Sequence, residues 1–343
     1  MSQDTLFISE YSYGIDHSKK LIVINEKVDI ASSIRGVALS DYYEFSDITD
    51  TLVIGIPYIV SLANGELYQL YFTELPLVKI NPQEEIVDEP RRLADFSMIE
   101  HDGTMTVHNI GVEYRGGFSQ SFDKKSLRIE FWNDSLGDDT ENISLLGMRS
   151  DDDWNLQAMY NEPMRLRNKS AFDIWRQIDT LDYQSEEPKA INGVHYQYVE
   201  LFIHDEYKGV YGLSERIDRK QLRLKKDEEG ETRGELYKGI WWDEGVLFDG
   251  APAFDNTVDT WSGWEYQYPD LIDWSNVHEF VTIIVESEEE PFLESLDDLI
   301  DIDNVINYFI FLNLTRAEDN TGKNVYLAKY DACLLYTSDA ADE

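Results

Sequence analysis

Residues 303–328 read DNVINYFIFLNLTRAEDNTGKNVYLA. The first part has a helical period: Val305, Ile306, Phe309, Ile310 and Leu314 fall on one apolar stripe. Asp303 stands where a helix cap is expected. The polar run Arg316 to Asn324 ends that helix, and Val325-Tyr326-Leu327-Ala328 follows at once with the composition of a strand. A helix, a short polar loop and a strand place the loop side chains at the edge of a cleft, held by rigid neighbours. Within the loop, Asp319 and Asn324 stand five residues apart.

Upstream, two strands are predicted at Met105 to Tyr114 and Ser126 to Trp132. Their connection is Arg115-Gly116-Gly117-Phe118-Ser119-Gln120-Ser121-Phe122-Asp123-Lys124-Lys125. Glycines let a backbone turn and come close to a ligand. Arg115, Ser119, Lys124 and Lys125 could then hold an anion, although a plain charged hairpin loop reads the same way. Pro163 is placed to open a helix, with Ala171, Phe172, Trp175 and Ile178 as its apolar stripe and Arg165, Arg167 and Lys169 on its polar face. A strand pair follows at Tyr198 to Ile203 and Lys208 to Glu215, turning at His204-Asp205-Glu206. Leu222 to Arg233 reads as an exposed charged loop, and Ser275 as the cap of a helix reaching Val285.

Residues 1–72 read as a small β-rich accessory domain, with strands at Leu21 to Ile24, Leu52 to Ile56 and Leu67 to Phe72. Asn64-Gly65 between two apolar runs signals a hairpin. The domains expected are therefore 1–72, 75–332 and a tail at 333–343, in the α+β class.

The 343 residues are 42% hydrophobic and 13% aromatic, ample for one large core. Sixty-eight acids against 29 bases give a net charge of −39. So acidic a surface repels phosphate backbones and anionic headgroups, which disfavours nucleic-acid and membrane-surface roles, and suits basic partners. No apolar run nears the roughly 20 residues of a membrane span, and the start, MSQDTLFISEYSYG, does not have the pattern of a secretion signal. One cysteine, Cys333, excludes an internal disulfide. The histidines His17, His101, His108, His195, His204 and His278 form no HExxH pair, and no Walker-type phosphate loop occurs. Asp151-Asp152-Asp153 lacks the ligand spacing of a calcium loop and reads as a turn before Trp154.

The spacing of Asp319 and Asn324 is that of the protein-kinase H-R-D-x-x-x-x-N loop, where Asp takes the substrate hydroxyl proton and Asn holds a magnesium ion. Several further motifs occur in order. They are Arg115-Gly116 with Ser119-Gln120 and Lys124-Lys125-Ser126, Leu145-Leu146-Gly147-Met148 with Asp152-Asp153-Trp154, and Arg167-Asn168-Lys169. Val199-Glu200-Leu201-Phe202 follows, with Tyr207-Lys208-Gly209-Val210-Tyr211, Glu215-Arg216 and Asn324-Val325-Tyr326. From about Leu75 onward the chain resembles the CotH kinase family, named for a spore-coat protein.

That resemblance implies an atypical protein-kinase-like fold which transfers the γ-phosphoryl of ATP to serine or threonine of a protein, with Mg²⁺ or Mn²⁺. It implies ATP-phosphate contacts from Lys124 or Lys125, a phosphate loop lined by Arg115 and Ser119, Asp319 as catalytic-loop aspartate and Asn324 as metal ligand. Strand parity leaves Lys124 and Lys125 undecided. Glu215 falls where a structural or hinge-proximal acid is expected. The helix after Pro163 offers Asp173, and Glu162 at its start, as acid partners for the lysine. The protein substrate suggested by the charge is basic and serine-rich, and the family suggests an extracytoplasmic or cell-surface setting. A non-catalytic coat protein or adhesin module on the same fold is the alternative. The family continues to a Pro-Trp-Asp-x-Asp-like motif that this chain lacks. Residues 333–343 resemble translated library adapter, so the chain as written is expected to be an inactive fragment, with Asp339 and Asp342 no metal ligands.

Overall fold

The computed structural model describes residues 5–26, 34–46, 51–228, 232–331 and 336–340. Cys333 and the rest of the expected tail apart from 336–340 lie outside the described residues, as do the first four residues of the opening segment. The chain divides into two units: Met1–Pro163 with Tyr196–Glu215, and Met164–His195 with Arg216–Glu343. It is α+β, with a β-rich N-terminal region.

The first unit opens with a seven-stranded sheet. Its strands are β1 (Thr5–Phe7), β2 (Tyr13–Asp16), β3 (Leu21–Asn25), β4 (Gly36–Ala38), β5 (Tyr42–Phe45), β6 (Tyr58–Ser61) and β7 (Leu67–Thr73), in the spatial order β1-β4-β5-β6-β7-β3-β2. Ile22, Ile24, Val37, Tyr43, Val60, Leu70 and Phe72 fill its core. The Asn64-Gly65 hairpin forms as its sequence predicts: Gly65 takes φ +83° and β6 runs antiparallel to β7. Leu52 to Ile56 is not the expected strand. Gly55 turns at φ +75°, Val53 and Ile56 face solvent, and the Val53 N–H is capped by the Tyr58 hydroxyl at 2.6 Å.

A closed barrel follows, built from β8 (Leu77–Pro82), β9 (Arg92–Ile99), β10 (Met105–Arg115), β11 (Ser126–Trp132), β14 (Asp153–Gln157), β15 (Tyr196–Ile203) and β16 (Glu206–Ser214). The short pair β12 (Ile143–Ser144) and β13 (Ser150–Asp151) sits in the connection before β14. Closure leaves no unpaired edge. Alternation sends Ile110, Val112, Leu127, Ile129, Phe131, Trp154, Leu156, Val199 and Leu201 inward, where they are buried together. Asp151, Asp152 and Asp153 take separate partners: Arg149, the Thr140 hydroxyl and Arg91 respectively. Asp16 ties the N-terminal sheet to the barrel. It is buried and accepts hydrogen bonds from the Ser18 hydroxyl at 2.6 Å, Lys19 N at 2.9 Å and Tyr207 N at 3.0 Å.

The second unit packs helices on a five-stranded sheet ordered β18 (Thr260–Trp261), β19 (Trp264–Tyr268), β17 (Glu235–Gly239), β20 (Val325–Lys329), β21 (Tyr336–Ala340). The helices are α1 (Arg167–Ile178), α2 (Arg219–Leu222), α3 (Ser275–Glu286), α4 (Glu289–Leu299) and α5 (Ile302–Thr315). Trp175, Tyr237, Trp264, Trp274, Phe280 and Phe311 dominate its core.

Several helix expectations are corrected. Pro163 does not open α1, because Arg165 sits at φ +55° and the helix starts at Arg167. Arg165 is therefore outside the helix, and Ile178 is exposed rather than part of a buried stripe. Ser275 is the first residue of α3 rather than its cap, and the Asp273 carboxylate accepts from Ser275 N at 3.1 Å. Asp301, not Asp303, caps α5 by accepting from Asn304 N at 3.0 Å. The apolar stripe of α5 points outward: Phe309 is 67% exposed, and Val305, Ile306, Ile310 and Leu314 are exposed with it. The inward face is set by specific anchors. Asn304 and Asn307 donate to the buried Asp179 carboxylate at 2.8 and 2.9 Å, and Phe311 packs on Trp175. Leu222 and Leu224 are buried, so the described part of the predicted 222–233 loop is anchored rather than wholly exposed.

Candidate functional site

The connection between β10 and β11 is held in shape by its own side chains. Arg115 pairs with Ser126 as the last rung of the hairpin. Gly116 turns at φ +101°, with the Ser119 hydroxyl in the space a side chain would need. Phe118–Ser121 forms one 3-10 turn, and Gln120 Nε2 donates to Gly116 O and to Asp88 at 2.7 Å. The loop is thus a formed hairpin end that carries Arg115 and Ser119 at its base.

The two lysines, which parity could not separate, go different ways. Lys125 Nζ turns back onto its own loop and donates to Gln120 O and to Phe122 O at 3.1 Å. Lys124 Nζ crosses to β16, where it donates to Val210 O at 2.6 Å and lies 4.1 Å from the Tyr211 ring centroid. Val210 faces Glu200 across the β15–β16 ladder. Glu200 is buried and accepts from the Tyr207 hydroxyl at 2.6 Å. Burial pushes its carboxyl above the usual range, against the opposing pull of the Tyr207 and Thr73 hydroxyls and of the Lys124 charge. An acid interrupting the apolar run Val199-Glu200-Leu201-Phe202 was the available sequence signal for this residue. Asp173 belongs to its own helix, bound to Lys169 at 2.8 Å and Arg176 at 2.6 Å.

The second group lies in the other unit. Arg316 ends α5 at φ +55°, and Glu318–Thr321 makes a 3-10 turn that carries the exposed Asp319. Lys323 N donates to Asp319 O at 2.9 Å, and the Tyr308 hydroxyl from α5 donates to Asn320 O at 2.8 Å. Asn324 takes φ +55°, a left-handed conformation that asparagine tolerates, and its N–H donates to Gly239 O at 2.7 Å. The loop is therefore fixed from α5 on one side and from β17 on the other. Trp242 closes over it: its Nε1 lies 3.4 Å from the Thr321 hydroxyl, and its Cδ1 is 2.6 Å from where a side chain on Gly322 would begin. Sequence reading had not singled out Trp242.

Glu215 is buried, accepts from Arg149 N at 3.0 Å, and is the last residue of the first unit before the chain passes to the second. Among the described residues no three His, Cys, Asp or Glu side chains gather as a metal cage. Asp319 and Asn324 each carry a side-chain oxygen of the kind Mg²⁺ takes. That fits a Mg²⁺ carried in by nucleotide phosphates and completed by water, the usual manner of this ion, rather than a dedicated protein site. Residues 336–340 run antiparallel along β20, and Tyr336 is buried against Phe280.

The family model described as CotH kinase protein matches residues 112–337. The motifs quoted from Arg115 to Tyr326 fall inside that span. Strands β8 and β9 precede it, yet they close the barrel. A search of curated proteins found no match. The matched span exceeds half of the 343 residues and takes in the loops of both groups, so the chain belongs to the CotH kinase protein family.

Proposed function

We propose that the protein is an atypical protein serine/threonine kinase on a kinase-like fold, transferring the γ-phosphoryl of ATP to a hydroxyl of a protein substrate. The observation that carries this reading is the 316–324 loop. A carboxylate and an asparagine at kinase spacing are held between α5 and β20 with their backbones pinned from two sides.

In this reading the substrate oxygen attacks the γ-phosphorus, the bond from that phosphorus to the β,γ-bridging oxygen breaks, and ADP leaves. Asp319 orients the hydroxyl and accepts its proton. Asn324 would hold a nucleotide-borne Mg²⁺ or Mn²⁺, which would neutralise phosphate charge. Lys124 serves the phosphates, with Glu200 as the acid that fixes its charge. Lys125 braces the loop from within, while Arg115 and Ser119 line it. Glu215 holds the chain where the first unit ends.

The net charge of −39 favours a basic substrate, serine-rich to supply the acceptor, through long-range steering. The family supports an extracytoplasmic or cell-surface setting, and no described helix is long and apolar enough to cross a membrane. A non-catalytic coat or adhesin module is the second reading, favoured by the outward apolar face of α5, which suits assembly. Phosphate transfer by the protein expressed from its complete natural reading frame, with Asp319→Asn beside it, separates the two. Removing a general base costs about 10²–10⁴-fold, and a folded protein without transfer would favour the module.

A further inference from the structure

The aromatic pair next to the 316–324 loop is poorly covered. Trp241 is 62% exposed and Trp242 is 37% exposed, with ring centroids 5.7 Å apart at 66°. Trp242 is seated on the loop through Thr321 and Gly322, two and three residues from Asp319. Its ring already has a cation near it, since Lys323 Nζ lies 5.9 Å from its centroid. Trp241 extends the aromatic surface outward with its ring largely in water. Large exposed aromatics are unusual on a free surface and common at the centre of binding surfaces.

The surrounding charge says what kind of partner this is. Lys238 and Lys323 bound the stretch Gly239–Gly322, within which the sequence has twenty Asp and Glu and one Lys or Arg, Arg316. Asp243, Glu244 and Asp249, next to the pair in sequence, and Glu318 on the loop are all exposed. Aromatic faces attract guanidinium and ammonium groups, and neighbouring carboxylates add to that attraction. The same carboxylates repel phosphates, so a nucleotide is a poor occupant of this surface.

We propose that Trp241 and Trp242, with the carboxylates around them, form a docking ledge for a cationic segment of the protein substrate, seating an Arg or Lys side chain next to the catalytic loop. The proposal rests on the kinase reading for the word substrate, but its binding chemistry stands without catalysis. Trp241 is the specificity element. Trp242 couples the ledge to the loop through Gly322, which has no side chain to obstruct it.

The test is a titration of the 343-residue chain with a Ser-Arg repeat peptide and with its Ser-Gln counterpart, following the indole N–H resonances and assigning them with Trp241→Leu. The expected result is a shift of the Trp241 and Trp242 signals with the Arg peptide, weakened by salt and absent with the Gln peptide. Trp241→Leu should weaken binding about tenfold, and Glu244→Gln several-fold. An equal response to the Gln peptide, no response, a response to ATP, or a shift with protein concentration alone would overturn the ledge. Peptide binding by the 343-residue chain, with no phosphate transfer by the folded protein expressed from its complete natural reading frame, would refute the kinase reading and leave the ledge standing. Phosphate transfer with an Arg-peptide KM unmoved by Trp241→Leu would do the reverse.

Discussion

Gly322 is where the 316–324 loop and the tryptophan above it constrain each other. A methyl group there would begin 2.6 Å from Trp242 Cδ1 and 3.1 Å from Leu247 Cδ2. Gly322→Ala should therefore displace Trp242, lower stability by about 1–3 kcal/mol as overpacking does, and change the tryptophan fluorescence. A melt and spectrum like those of the unaltered protein would remove Trp242 from the loop. Asp16 carries a second prediction. Burial alone would raise its carboxyl, but the Ser18 hydroxyl and the Lys19 and Tyr207 N–H groups more than offset that and hold it well below the ordinary range. A depressed folded pKa contributes stability above the unfolded value, lost as pH falls through the folded one. Asp16→Asn should lower neutral-pH stability by about 1–3 kcal/mol and flatten the acid limb of the stability profile, as denaturant melts across pH would show. At this scale the sequence was legible in placing Asp319 and Asn324 on a loop between a helix and a strand. It was silent on Lys124 against Lys125, because both precede Ser126, where β11 and its alternation begin.

Among the elements, α5 shows what periodicity can and cannot say. The stripe Val305, Ile306, Phe309, Ile310 and Leu314 correctly announces a helix, yet the face that packs holds Asn304, Tyr308 and Phe311. A hydrophobic stripe does not name its partner. Here the amides of Asn304 and Asn307 on Asp179, and the Tyr308 hydroxyl on Asn320 O, turn the helix the other way. The Asp179 contacts join residues more than a hundred positions apart, so no local pattern could reveal them. The difference is measurable: Phe311→Ala should cost about 3–5 kcal/mol, whereas Phe309→Ser should change stability by no more than about 0.5 kcal/mol. Equal losses at both positions would mean the outer face is packed. The β10–β11 hairpin was easier to read, since Ile110, Val112 and Tyr114 on one strand and Leu127, Ile129 and Phe131 on the other recur at every second position and face each other in register. Closure by β8, β9 and β15 was not legible, being a property of pairing between distant strands.

For the whole molecule, charge dominates the expected solution behaviour. Sixty-eight acids against 29 bases repel one another, so added salt should raise the melting temperature from its low-salt value. Burial also pushes the carboxyls of Glu113, Asp179, Glu200 and Glu235 above their ordinary values. A raised folded pKa gives stability that is complete below the unfolded value and declines as pH rises through the folded one. Both effects have the same sign. Melting temperature should therefore rise as pH is lowered from 8 toward about 5, before depressed groups such as Asp16 begin to protonate. A melting temperature that falls steadily over that range would contradict this account of the buried acids.

The central claim, phosphoryl transfer through the 316–324 loop, is tested most directly by following labelled γ-phosphate from ATP onto a basic, serine-containing peptide. The protein would come from its complete natural reading frame, with Asp319→Asn and Asn324→Ala alongside. Metal-dependent labelling of serine, cut by about 10²–10⁴-fold in Asp319→Asn while the variant melts like the parent, is the predicted result. Labelling that persists undiminished in both variants, or no labelling by the folded parent, would contradict it.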